Sequence, residues 1–185
     1  MPILSGRHEL GPENASLRVE TKRRGAAAKA GHDLVIEVGS WQGTLELGEE
    51  PDRNSLVLSA ESGSMEVIEG TGGIVPLTGE DKVEIKKTLE TEVLEPGQVE
   101  FKSTEVTAMD GGQHLGVTGE LSLNGNVHPL RFELELGPDG AVSARARLKQ
   151  SEWGIKPYSG LFGTLKVRDE VEVVGEASLP PRVRE

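Results

Sequence analysis

The stretch LGVTGELSLNGNVHPLRFELELGPDGAVSARARL, Leu115 to Leu148, carries two turn signals between three runs of alternating apolar and polar residues. Asn124-Gly125 is the strongest short hairpin signal, because both central residues of its turn need positive φ. A two-residue loop there pairs Leu123 with Asn126, Leu121 with His128, Gly119 with Leu130, Val117 with Phe132 and Leu115 with Leu134. Apolar residues then meet apolar residues on one face, so turn and pattern agree. At Pro138-Asp139-Gly140, proline presets φ and glycine suits the left-handed position. A three-residue loop pairs Leu136 with Val142, Leu134 with Ala144, Phe132 with Ala146 and Leu130 with Leu148. The opposite face sets Glu133 against Arg145. A two-residue loop would put Leu136 against Ala141 and break both faces.

The same period of two extends outward in both directions. It runs through Leu17 and Val19, through Leu34, Ile36 and Val38, and through Leu45 and Leu47. It continues in Leu56, Leu58 and Ala60, and in Val99 and Phe101. The final strand places Val171, Val173, Gly175 and Ala177 on one face and mostly glutamate on the other. Such alternation marks strands with one buried and one wet face. A single helix is predicted from Glu80 to Leu94, with Thr78 as N-cap and Pro96-Gly97 as its stop. A short helical turn is expected near the C-terminus, where the aromatic–glycine step Trp153-Gly154 and an aromatic turn from Pro157 to Gly163 precede the final strand. The expected fold is all-β: a closed antiparallel barrel of about eight strands with one helix and that short turn.

Aromatic residues make up only 3% of the chain. Gly119, Ala144, Ala146, Gly175 and Ala177 fall on the inward parity. An eight-stranded barrel lined by small side chains has room for one ligand, whereas bulky residues elsewhere would fill it. Both interiors are compatible with the pattern alone.

With 185 residues the chain predicts one domain, residues 1–185, with flexible ends. A net charge of −11 repels DNA, RNA and anionic membranes, which argues against a nucleic-acid partner. The absence of cysteine excludes disulfides and thiolate chemistry. No apolar run approaches the ~18 residues of a membrane span, so stable membrane insertion is not expected. The start has no apolar stretch of signal-peptide length, which predicts a cytoplasmic protein. Oligomeric state is open, a dimer included. The four histidines have no metal-site spacing, and His32 and Asp33 point to opposite faces of a strand. The Asn-Gly register aims His128 inward. Gly70-Thr71-Gly72-Gly73 lacks the lysine of a phosphate loop, and there is no G-x-S-x-G elbow. No catalytic residue, metal ligand or cofactor site is assigned, and the chain is read as not an enzyme.

Three blocks resemble the YceI-like family of lipocalin-like, polyisoprenoid-binding barrels. Gly31-His32-Asp33 with Trp41-Gln42-Gly43-Thr44-Leu45 is similar to its early strand pair. Val117 to Gly125 with Val127-His128-Pro129-Leu130 is similar to its central hairpin. Gln150-Ser151-Glu152-Trp153-Gly154-Ile155 and Val167 to Val171 are similar to its closing segment. The order is the family's, over residues 31–177. Gln150 stands where arginine is frequent in the family, and residues 92–98, EVLEPGQ, lack its paired aromatics.

The resemblance implies carriage or storage of a long hydrophobic ligand, such as a prenyl quinone or polyprenyl phosphate. The alternatives are a filled-core, partner-binding β-protein and an enzyme acting on a hydrophobic substrate. In the carrier reading Leu34, Ile36, Val38, Phe101, Val117, Leu121, Phe132, Leu134, Ala144, Ala146 and Val173 line the pore. Trp153, Tyr158 and Phe162 cover one mouth, where the tyrosine hydroxyl can bond a ligand oxygen.

Overall fold

The computed structural model describes residues 5–25, 29, 31–50, 53–160 and 165–180. Its main sheet has eleven antiparallel strands among these residues. In chain order they are β1 (Gly6–Leu10), β2 (Ala15–Thr21), β4 (Asp33–Val38), β5 (Trp41–Leu47), β6 (Ser55–Glu61), β7 (Met65–Thr71), β8 (Gln98–Met109), β9 (His114–Leu123), β10 (Asn126–Leu136), β11 (Ala141–Lys149) and β14 (Glu170–Ser178). A small second sheet joins β12 (Ser159–Gly160), β13 (Leu165–Val167) and β3 (Arg23–Arg24).

The main sheet runs in the order β1-β5-β6-β8-β9-β10-β11-β14-β2-β4-β7. Its ladder order ends at two edges, β1 and β7, where the sequence predicts a closed ring of about eight strands. The count rises partly because β1 and β7 have no counterpart in the expected alternation, and partly because the chain bends within two hairpin arms. Gly39-Ser40 separates β4 from β5, and Ser62–Ser64 separates β6 from β7. Pairing persists through the bend: Gly39 N donates to Ser64 O at 2.8 Å and Glu61 N to Ser40 O at 3.0 Å.

Both predicted hairpin registers form. Leu123 pairs with Asn126 and Leu115 with Leu134, around Asn124 and Gly125 at φ 51° and 73°. Leu136 pairs with Val142 and Glu133 with Arg145, around a Pro138–Gly140 loop. That second ladder stops at Glu133 and Arg145, so the expected pairs Phe132–Ala146 and Leu130–Leu148 lie beyond it. The start of β10 has parted from the end of β11. Trp153 sits at this seam, 1% exposed, with its Nε1 donating to Leu121 O at 2.8 Å. Asn126 Nδ2 donates to Trp153 O at 2.9 Å and holds the turn in place.

Another irregularity sits in β8, where the register to β9 shifts between Ser103 and Glu105. Opposite it lies Gly119, where a β-carbon would meet the Phe101 ring at 2.6 Å and the Ser103 Cα at 2.8 Å. Only glycine lets the two backbones approach so closely.

The helix α1 covers Gly79–Thr88 and passes into a wide turn, Leu89–Val93, so the expected end near Leu94 holds. Thr78 caps it: its hydroxyl accepts from Asp81 N at 3.1 Å, and the Asp81 carboxylate accepts from Thr78 N at 2.9 Å. These bonds hold the Asp81 carboxyl below its ordinary range. The short turn Gln150–Trp153 near the C-terminus is also present. No helix among the described residues is long and apolar enough to cross a membrane.

On the outer face Arg145 turns away from Glu133, its partner in the ladder, and reaches across β14. Its Nη1 donates to Glu172 and, at 2.9 Å, to Glu20 on β2. Arg147 joins the same Glu172 at 3.1 Å. Arg145→Glu therefore sets three carboxylates around one spot. We expect a lower urea midpoint, with most of the loss recovered in high salt because all partners reach solvent. A loss unchanged by salt would remove electrostatics as its cause.

Candidate functional site

The concave side of the sheet bounds a half-open apolar cavity of about 260 Å³. Small residues on three neighbouring strands leave the space. Rows across β11, β14 and β2 read Val142–Ala177–Ala15, Ala144–Gly175–Leu17 and Ala146–Val173–Val19. All nine residues lie on the cavity wall. Facing strands supply larger groups, among them Trp41, Leu56, Leu58, Leu121 and Leu123. Phe101 and Phe132 complete that side, with ring centroids 5.4 Å apart and planes tilted by 55°.

The turn after α1 also contributes to the wall, through Leu89, Val93 and Leu94. Asn124, at the tip of the central hairpin, clamps it. Its Nδ2 donates to Val93 O at 2.8 Å and its Oδ1 accepts from Glu95 N at 2.9 Å. The Ser62 hydroxyl accepts from Gly97 N at 3.1 Å and fixes the return of the chain. Leu94 also borders a surface depression with Glu61, Ser62, Gly63, Glu90, Pro96, Gly97 and Gln98.

Polar groups on the wall are few. Gln150 is 8% exposed, and its Nε2 donates to Arg168 O at 3.1 Å. Thr21 is 9% exposed, and its hydroxyl has no hydrogen-bond partner. The wall residue Glu176 is more than half exposed and pairs with Arg18 at 3.5 Å. Among the described residues no group of three or more His, Asp or Glu side chains could hold a metal ion.

Of the residues expected at the pore, Ile36, Val38, Phe101, Leu121, Phe132, Leu134, Ala144, Ala146 and Val173 line the cavity. Leu34 is half-buried and off the wall, beyond its ladder partner Thr21. Val117 is fully buried, yet it packs in the solid part of the core with Val106 and Leu115 instead of facing the cavity. Trp153 is a seam plug and not a mouth cover. Tyr158 is 42% exposed and off the wall. Phe162 lies outside the described residues. His128 is exposed, not inward; it stands edge-on to Trp153 with ring centroids 5.7 Å apart.

Sequence reading missed Trp41, Leu89, Val93 and Leu94 as wall residues. The spacing of Leu89, Val93 and Leu94 was a usable signal, since positions i, i+4 and i+5 share one side of a helical turn. Trp41, on the wall, is therefore the expected optical reporter of binding. Adding a prenyl quinone should quench the emission of the natural protein, and Trp41→Phe should abolish most of that response. Quenching that persists in the variant would place the quinone near Trp153 instead.

The chain matches the model of the YceI-like domain over residues 13–179. No protein of curated function is significantly similar to it in sequence. Among solved structures, BcnA of Burkholderia cenocepacia is similar with a TM-score of 0.60 and 14% identity, over 88% of this chain and 94% of that one. The YCEI protein of Campylobacter jejuni is similar with a TM-score of 0.55 and 12% identity, over 80% and 85%. Likeness at such identities concerns the fold, while the domain match covers nearly the whole chain: the protein belongs to the YceI-like family.

Proposed function

We propose that the protein binds and carries a long hydrophobic molecule, of the polyisoprenoid or similar lipid class, without chemistry on it. The half-open, almost wholly apolar cavity carries this reading. An apolar cavity of ~150 Å³ already stays dry and accepts a small hydrocarbon, and this one is larger. Each methylene moved from water into it contributes about 0.8 kcal/mol, so a part-buried chain offsets its ordering cost. The volume is just below the range of ligand pockets, roughly 300–1,000 Å³. A longer chain would extend past Leu94 into the adjoining depression.

We read the sheet as a barrel closed by the bent hairpin. β4 runs into β5 and β7 pairs with β4 while β6 pairs with β5, so one continuous hairpin links both sides of the ring. Counted that way, β2, β4–β5, β6–β7, β8, β9, β10, β11 and β14 make eight strands, and β14 pairs back with β2. Such a ring leaves the seam between β10 and β11 as its gap, which Trp153 fills, and its interior suits an internal apolar site.

No acid–base pair faces the cavity among the described residues, which favours carriage over catalysis. Native mass spectrometry of the purified protein, followed by solvent extraction, tests the reading. A lipid adduct that disappears on extraction and rebinds is expected. Neither adduct nor binding of an added prenyl quinone would sink it.

A further inference from the structure

We infer that one end of this cavity is a recognition site for an uncharged, hydrogen-bonding head group, an alcohol or a carbonyl, read by Thr21 and Gln150. The inference rests on the carrier reading and adds the ligand's polar class. The ladders bring the two residues to the same end. Glu20 pairs with Glu172, which sets Thr21 level with Val171. Val171 pairs with Leu148, two residues before Gln150, whose backbone N donates to Asp169 O at 2.9 Å.

The Thr21 hydroxyl is the decisive observation. It is buried on the cavity wall with no protein partner, where valine would fill the same space at no polar cost. Native structures keep few such groups; the oxygen is covered as the side chain stands, and a turn of χ1 exchanges it with the methyl group and brings it to the cavity, where a ligand can partner it. A hydroxyl both donates and accepts. The Gln150 carboxamide, with one hydrogen committed to Arg168 O, keeps a second donor and an acceptor.

Charge decides the class. No lysine or arginine lines the cavity among the described residues, and its only ionisable wall residue is the acidic Glu176. Arg18 alternates with the inward Leu17 and Val19 and is not on the wall; its Nη2 pairs with Glu176 at 3.5 Å, and its buried Nε has no hydrogen-bond partner. A phosphate or carboxylate buried here would have no counter-charge, and a net charge of −11 opposes it further. A neutral head group gains hydrogen bonds without that penalty.

The test uses the full chain and three probes on one C20 isoprenoid chain: geranylgeraniol, its monophosphate and the parent hydrocarbon. Affinities are read from Trp41 emission. The alcohol should bind about 3- to 10-fold tighter than the hydrocarbon, the value of one well-formed hydrogen bond, and the phosphate weakest. Thr21→Val should melt at the same or a higher temperature, because an unpaired buried hydroxyl is gone. It should nevertheless remove most of the alcohol's advantage while leaving the hydrocarbon unchanged; Thr21→Ser should restore that advantage. A tighter phosphate, equal affinities for alcohol and hydrocarbon, or a Thr21→Val variant with the advantage intact overturns the head-group inference alone. If none of the three probes binds, the carrier reading falls and this inference with it.

Discussion

Gly140→Val is expected to lower stability by about 3–5 kcal/mol, through left-handed backbone strain and collision together. Gly140 holds φ at 83° and is buried. A β-carbon there would run into the backbone carbonyl of Leu179, the residue that ties the C-terminal strand to this loop. Leu179 N donates to Gly140 O at 2.8 Å, and Leu179 itself is 1% exposed. The loop cannot back away without pulling a core leucine out. Gly125 separates the two causes. It has φ at 73°, yet nothing lies within 4 Å of where its β-carbon would be. Gly125→Ala should cost about 1 kcal/mol, while Gly140→Ala should lose most of what the valine loses. Urea denaturation of the three variants measures this. Equal losses for the two alanine variants would leave backbone strain as the only cause and remove the collision from the account.

The loops that such substitutions probe were the legible part of the sequence. Asn124-Gly125 and Pro138-Asp139-Gly140 dictate local backbone geometry, so they fixed partner and face for every residue near them. Legibility faded with distance from a turn. The expected pairing of Phe132 with Ala146 assumes a ladder that continues, but the turn at Gln150–Trp153 inserts Trp153 at the seam and the strands part. Nothing local to Phe132 announces that. Ala144, Ala146, Gly175 and Ala177, small residues on the inward parity, lie on the cavity wall because such rows follow from period and register; Gly119, of the same parity, is packed against β8 instead. The turn after α1 was illegible as part of the wall. Leu89, Val93 and Leu94 are helical by pattern, and only the long-range clamp of Asn124 turns them onto the cavity. Val117 illustrates the converse. Its parity is inward, as predicted, but parity does not tell an open interior from a packed one.

That distinction gives the largest expected effect on binding. Ala146 is 6% exposed and on the cavity wall, between Leu148 and Ala144 along β11 and beside Val173. Ala146→Trp should place the indole in existing free space. Its melting temperature should change by only a few degrees, while affinity for a prenyl quinone falls at least about tenfold and the extractable lipid disappears. Val117, fully buried and off the wall, is the matched control. The indole of Val117→Trp must displace close-packed neighbours such as Val106 and Leu115, and overpacking of that kind costs about 1–3 kcal/mol or more. The control should therefore melt far earlier than the cavity variant, although both substitutions add an indole to the same sheet. Two variants destabilised alike would mean that the interior is filled in solution. A stable Ala146→Trp variant that still takes up the quinone would move the ligand site out of the cavity altogether.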